Sequence, residues 1–101
     1  MIPLLIGNVP DMEKIHAIAK KHNLYLIEDS CDTLGATFNG VPTGRYSDIS
    51  TTSFFGSHII TAGGNGGMIL LNNKIWRNNA KVLRGWGRNS SLFEESENVK
   101  K

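Results

Sequence analysis

The sequence holds one cysteine, Cys31. That excludes an internal disulfide and, on its own, a zinc site built from cysteines. No apolar run approaches the length of a membrane span. Basic residues are not gathered into a stripe. Lys20-Lys21 and Lys100-Lys101 are the only adjacent basic pairs and the net charge is +2, so nothing marks a nucleic-acid partner. The opening MIPLLIGNVP has no basic segment and no long apolar core of the secretory kind. These absences set the expectation of a cytoplasmic protein with no membrane or nucleic-acid partner.

What is present is ordinary for a globular chain: 101 residues, 40% hydrophobic and 20% charged. That length is enough for one small domain and too short for two cores. Both ends read as cut. The chain opens on a buried-type strand and stops on the polar ESENVKK, so a fragment of a larger protein is expected.

Pro3-Leu4-Leu5-Ile6 reads as a strand buried on both faces. A turn over Gly7 to Pro10 leads to Asp11, a plausible N-cap, and a helix with Met12, Ile15, Ala19 and His22 on one face and Ile18 beside them. Asn23 ends that helix, and Leu24 to Ile27 reads as the next strand. Strand, helix and strand within about thirty residues make a βαβ unit and imply a parallel sheet. Asn39-Gly40 signals a tight hairpin. Ile49 to Phe55 and Met68 to Leu71 read as further strands, and Lys74 to about Trp86 as a helix with Trp76, Ala80 and Leu83 on one stripe.

Glu28-Asp29-Ser30-Cys31-Asp32 falls just past the expected end of the second strand, where open α/β sheets bind ligands. For Asp29 and Asp32 a helix cap or Asx turn is the ordinary reading. The functional one is an acid that holds a cationic ring nitrogen. A carboxylate-pair hydrolase is a poorer fit, because neighbours in one turn rarely flank a substrate. Ser53 stands before a loop rich in glycine, where backbone N–H groups and a hydroxyl can approach a phosphate. Gly63-Gly64-Asn65-Gly66-Gly67 leads into a strand and lacks a following Gly-Lys-Ser/Thr, so it matches neither the dinucleotide fingerprint nor a P-loop. His58 lies between a strand and this loop, where an imidazole can move protons near neutral pH. Ser57-His58 is not a dyad by sequence, since neighbours on extended backbone point to opposite faces. No Cys, His and carboxylate cluster has metal spacing. Trp86 and Arg88 are either an exposed helix end or a contact to substrate phosphate; the residues leave both open.

Taken together, IEDSCDTLGA, NGVPTGRYSDIS, SFFGSHIITAGGNGGM and LRGWGR resemble the DegT/DnrJ/EryC1/StrS aminotransferases, pyridoxal-phosphate enzymes that work on nucleotide-linked sugars. The resemblance runs along nearly the whole chain, in order. It implies an α/β fold: part of the large domain of the type I, aspartate aminotransferase-like fold, a mixed, mostly parallel sheet with flanking helices. Residues 1–101 would be a fragment of the cofactor-binding large domain, lacking an N-terminal part and a C-terminal small domain. By position, Asp29 resembles the acid on the pyridine nitrogen and Ser53 the serine on the cofactor phosphate. Asp32 falls where relatives place Gln or His beside the ring hydroxyl, and Asp48 falls on a structural aspartate. Asn65 replaces the glutamate usual in the glycine loop.

The main departure is His58. The aminotransferases carry lysine there, the residue that forms a Schiff base with the cofactor. Histidine at that position resembles the nucleotide-sugar 3-dehydratases, which act on 4-keto-6-deoxy sugars. Imidazole cannot form the covalent link, so the resemblance implies pyridoxamine 5'-phosphate held non-covalently in place of lysine-bound pyridoxal 5'-phosphate. His58 would be the catalytic proton carrier. One histidine subgroup binds an iron–sulfur cluster through cysteines soon after the WGR segment. Asn89-Ser90-Ser91-Leu92-Phe93 has none, which favours the cluster-free branch acting on GDP-4-keto-6-deoxymannose. A nucleotide-sugar substrate and a homodimer in the full-length protein are implied. The alternatives are a sugar aminotransferase homologue and a fragment incapable of turnover.

Overall fold

The computed structural model describes residues 1–92. The ESENVKK tail, the Lys100-Lys101 pair and Phe93 therefore lie outside the described residues. Six strands and two α-helices run in the order β1 (Ile2–Pro3), α1 (Met12–Lys21), β2 (Ile27–Asp29), β3 (Thr37–Phe38), β4 (Val41–Pro42), β5 (Ile49–Ser53), β6 (Gly67–Leu71) and α2 (Lys74–Arg84). Four strands form one sheet in the order β1-β2-β5-β6, with β6 antiparallel and the others parallel. The expected mixed, mostly parallel sheet with flanking helices is present. No helix among the described residues is long and apolar enough to cross a membrane.

The strand expected at Pro3 to Ile6 is shorter and earlier. Leu4 is buried and extends the pairing by donating its N–H to Asp29 O at 2.8 Å. Leu5 to Gly7 then form a 3-10 turn in which Ile6 takes φ 56 and stands almost wholly exposed. A β-branched residue in the left-handed region breaks the extended run, so an apolar tetrad did not make a strand buried on both faces. α1 follows the expectation closely. The Asp11 carboxylate accepts the Lys14 N–H at 3.0 Å, and Lys20 and Lys21 occupy the last turn, where cations suit the helix dipole. Asn23, at φ 52, ends the helix. Met12 and Ala19 face the core, whereas Ile18 and His22 are exposed.

β2 begins three residues later than the apolar pattern implied. Leu24 and Tyr25 are exposed, and Glu28 and Asp29 lie within the strand instead of past its end. The cause is a reciprocal pair of bonds at the strand entry. Leu26 N–H donates to Asp48 Oδ2 at 2.8 Å while Asp48 N–H donates to Leu26 O at 2.9 Å. That is a structural role for Asp48. The hairpin β3–β4 turns on Asn39 and Gly40, both at positive φ (49° and 76°), as a type I′ turn requires. In α2, Asn73 caps the first turn by accepting from the Ile75 and Trp76 N–H groups. The expected apolar stripe is only partly covered: Trp76 and Ala80 are half-buried, and Leu83 is exposed.

The centre of the sheet is polar. Glu28 is 0% exposed, and its carboxylate accepts from Ser30 Oγ, from Gly44 N–H at 2.8 Å and from Ser50 Oγ at 3.3 Å. Gly44 sits at φ +86, a backbone conformation in which a side chain is disfavoured. Glu28→Ala leaves these donors without an acceptor, at about 1–3 kcal/mol for each group that water cannot reach. We expect a lowered urea midpoint for the protein carrying this segment, with Glu28→Gln intermediate because one amide oxygen remains to accept.

Candidate functional site

Strand register fixes which side chains share a face. Asp29 pairs with Thr51, and Ser53 lies two residues further along β5. Side chains alternate along a strand, so Asp29, Thr51 and Ser53 point to one face, and Glu28, Ser50 and Thr52 to the other. The second set is buried and the first half-buried, which leaves the Asp29 face open to a ligand. With a rise of about 3.3 Å per residue and a strand spacing of about 4.8 Å, the Cα atoms of Asp29 and Ser53 are roughly 8 Å apart. A carboxylate and a hydroxyl so placed can hold a cation and an anion at the two ends of one ring-sized molecule.

Local bonds set the posture of each group. Asp29 Oδ1 accepts the Cys31 N–H at 3.2 Å, and Ser53 Oγ accepts the Phe55 N–H at 3.2 Å. The Cys31 thiol is pushed up to about 11, first by its hydrogen bond to the Asp29 carboxylate and then by burial. The chain leaving β2 is pinned on both sides of Asp32. Ser30 N–H donates to Thr51 O at 2.9 Å, Thr33 N–H to Ser30 O at 3.1 Å, and Thr33 Oγ1 to Leu4 O.

Beyond the strand ends Asp32 and His58 meet. His58 Nδ1 lies 3.3 Å from Asp32 Oδ1, with the imidazole side chain 25% exposed and the carboxylate 41%. The Phe55 ring stands edge-on to the imidazole, with centroids 6.0 Å apart. A turn holds the histidine, its N–H donating to Phe55 O at 3.0 Å. This segment is turn and bend, not extended strand, so the argument that Ser57 and His58 point to opposite faces does not apply to it.

Asp29, Asp32, Ser53 and His58 thus all gather at the carboxyl ends of β2 and β5. Asn65 is exposed in the glycine loop, and Arg88 stands exposed beyond α2 with no side-chain partner among the described residues. The pairing of Asp32 with His58 was not read from the sequence. Adjacent placement of β2 and β5 would have been the signal for it. A cleft of about 890 Å³ lies at the other end of the sheet, between α1, the Arg45–Asp48 turn and the start of α2. It includes none of these four residues. Ligands of open α/β sheets sit at the carboxyl ends, so the residue cluster, not this cleft, is the candidate site.

The sequence model of the DegT/DnrJ/EryC1/StrS aminotransferase family matches residues 1–99. A dTDP-4-dehydro-2,6-dideoxy-D-glucose 3-dehydratase from Saccharopolyspora spinosa is 40% identical over 88 residues, 87% of this chain and 19% of that protein. A GDP-perosamine synthase from Caulobacter vibrioides is 43% identical over 83 residues, 82% of this chain and 22% of that protein. The solved structure of NtdA from Bacillus subtilis, with bound cofactor PMP, superposes with a TM-score of 0.71 at 31% identity, covering 79% of this chain and 18% of that one. The chain spans about a fifth of the length of the curated relatives it matches.

Because Asp29 is the first cause of the raised thiol, Cys31 reports the charge on Asp29. A rise from 9.0 to about 11 lowers the thiolate fraction at neutral pH roughly 100-fold. In cofactor-free protein, alkylation of Cys31 should therefore be slow at pH ~8 and climb towards pH ~11. Asp29→Asn should move that profile down. An unchanged rate-versus-pH curve in the variant would contradict the assignment.

Proposed function

Because the chain belongs to the DegT/DnrJ/EryC1/StrS aminotransferase family, we propose that it is part of a cofactor-dependent enzyme acting on a nucleotide-linked 4-keto-6-deoxy sugar. The reaction we propose is removal of the C3 hydroxyl. The observation that carries this reading is His58, an imidazole at the position where the family's motif has a lysine amine. The protein would contribute the cofactor-binding part of a large domain, and the rest of the site would come from the remainder of the full-length enzyme and its homodimer partner.

The donor set suits pyridoxamine 5'-phosphate or pyridoxal 5'-phosphate. Asp29 supplies an anion for a protonated ring nitrogen, and Ser53 supplies a hydroxyl for a phosphate on the same sheet face. When bound, the cofactor supplies an amine for a sugar ketone and a cationic ring that takes up electron density. The Asp29 carboxylate keeps that ring protonated. Cys31 N–H, donating to Asp29 Oδ1, helps fix the orientation of the carboxylate. His58 has no primary amine, so it cannot tether an aldehyde. Its imidazole can accept and return a proton near neutral pH, which is what loss of a neighbouring hydroxyl as water needs.

The relatives include both a named 3-dehydratase and a GDP-perosamine synthase. Transamination within the same family is thus the competing reading, and the two differ in product. A 3-deoxy-4-keto sugar is one oxygen poorer than its substrate, so an amino-acid donor must supply two electrons in each cycle. Transamination instead exchanges the ketone oxygen for an amino group.

Borohydride treatment of the full-length holoenzyme should leave no phosphopyridoxyl lysine in the peptide map. His58→Lys should create one at residue 58. With a GDP- or dTDP-linked 4-keto-6-deoxy sugar and an amino-acid donor, mass spectrometry should find the 3-deoxy product. An amino sugar as the main product, or a lysine adduct in the unaltered enzyme, would sink this proposal.

A further inference from the structure

We infer that Asp32 is a positioning residue for His58, setting which imidazole nitrogen carries the proton. This rests on the reading of His58 as a proton carrier and deepens it. The two groups come from loops that leave adjacent strands, and their facing atoms are Asp32 Oδ1 and His58 Nδ1 at 3.3 Å. Asp32 has no other hydrogen bond or ion pair among the described residues. Cys31 and Thr33, on either side of it, are both tied down: Cys31 N–H by Asp29, Thr33 Oγ1 by Leu4 O. The Phe55 ring stands edge-on to the imidazole, and the turn bond from His58 N–H to Phe55 O holds the backbone that carries it. Each partner is thus held by its own loop, and each has the other as its polar neighbour.

The chemical consequence follows from the two inequivalent ring nitrogens. A carboxylate can only accept, so the proton on a neutral His58 belongs on Nδ1, facing Asp32. Nε2 is then left as the nitrogen that takes up a proton from a reacting group. Without the carboxylate a neutral imidazole prefers the opposite tautomer, with the proton on Nε2, and the accepting lone pair faces the wrong way. A separation of 3.3 Å is slightly long for an N–H···O bond, as catalytic hydrogen bonds often are before the substrate is bound.

The test uses the full-length protein labelled with 15N-histidine at about pH 8.5, above the ordinary imidazole range. The His58 signals are assigned by their loss in His58→Asn. The unaltered protein should show a protonated Nδ1 and an unprotonated Nε2, and Asp32→Ala should reverse them. Asp32→Glu should restore the original pattern. In turnover, Asp32→Ala should lower kcat roughly 100-fold while KM holds, and Asp32→Glu should recover much of the loss. The same tautomer in Asp32→Ala as in the unaltered protein overturns the inference. So does a reversed tautomer with full turnover, since the proton's position would then not matter. Full turnover in His58→Asn is a separate failure. It would sink the proton-carrying role of His58 while leaving the spectroscopic answer about Asp32 intact.

Discussion

A buried carboxylate, that of Glu28, holds the middle of this structure together. It lies in β2, reaches Ser50 in β5 and caps the turn at Gly44, so one side chain binds three separate segments. Taking a carboxylate out of water costs several kcal/mol. Hydrogen bonds to a charged acceptor each return about 1.5–3 kcal/mol, and the three donors offset that cost. No apolar residue could do the same work, because Gly44 N–H and the two serine hydroxyls would then lose their acceptor. The alternation of β2 follows from it. With Glu28 committed to the buried face, Asp29 must turn to the open one.

That alternation shapes the candidate site. Two consecutive acids in one strand divide: Glu28 binds the scaffold, and Asp29 faces the open side of the sheet. β5 repeats the division, with Ser50 and Thr52 buried and Thr51 and Ser53 half-open. The loops leaving the two strands then bring Asp32 and His58 into contact above the same edge. Strand ends place Asp29 and Ser53, and the loops that follow place Asp32 and His58.

Part of the remaining surface is apolar. Met68, Ile69 and Leu70 in β6 are all about half exposed, so the described residues cover the strand only in part. Leu83 and Trp86 are exposed at and after the end of α2.

Helices and hairpin were legible in the sequence because they depend on local rules. Asp11 caps, Asn39-Gly40 turns and β-branched runs extend, whatever surrounds them. The motifs around Asp29, Ser53 and His58 likewise announced their family in order along the chain. Apolar runs were less reliable guides. Pro3 to Ile6 and Leu24 to Ile27 both read as strands, but pairing partners decide where a strand lies. Asp48 fixes the entry of β2, and Ile6 leaves the sheet altogether. Glu28 and Asp29 look alike as neighbouring acids, and only the register with β5 separates the buried one from the open one. The sequence by itself determined the family and singled out Asp29, Asp32, Ser53 and His58 as candidates. Only the tertiary structure decided that Asp32 faces His58, because that contact joins loops from two strands and depends on how those strands pair.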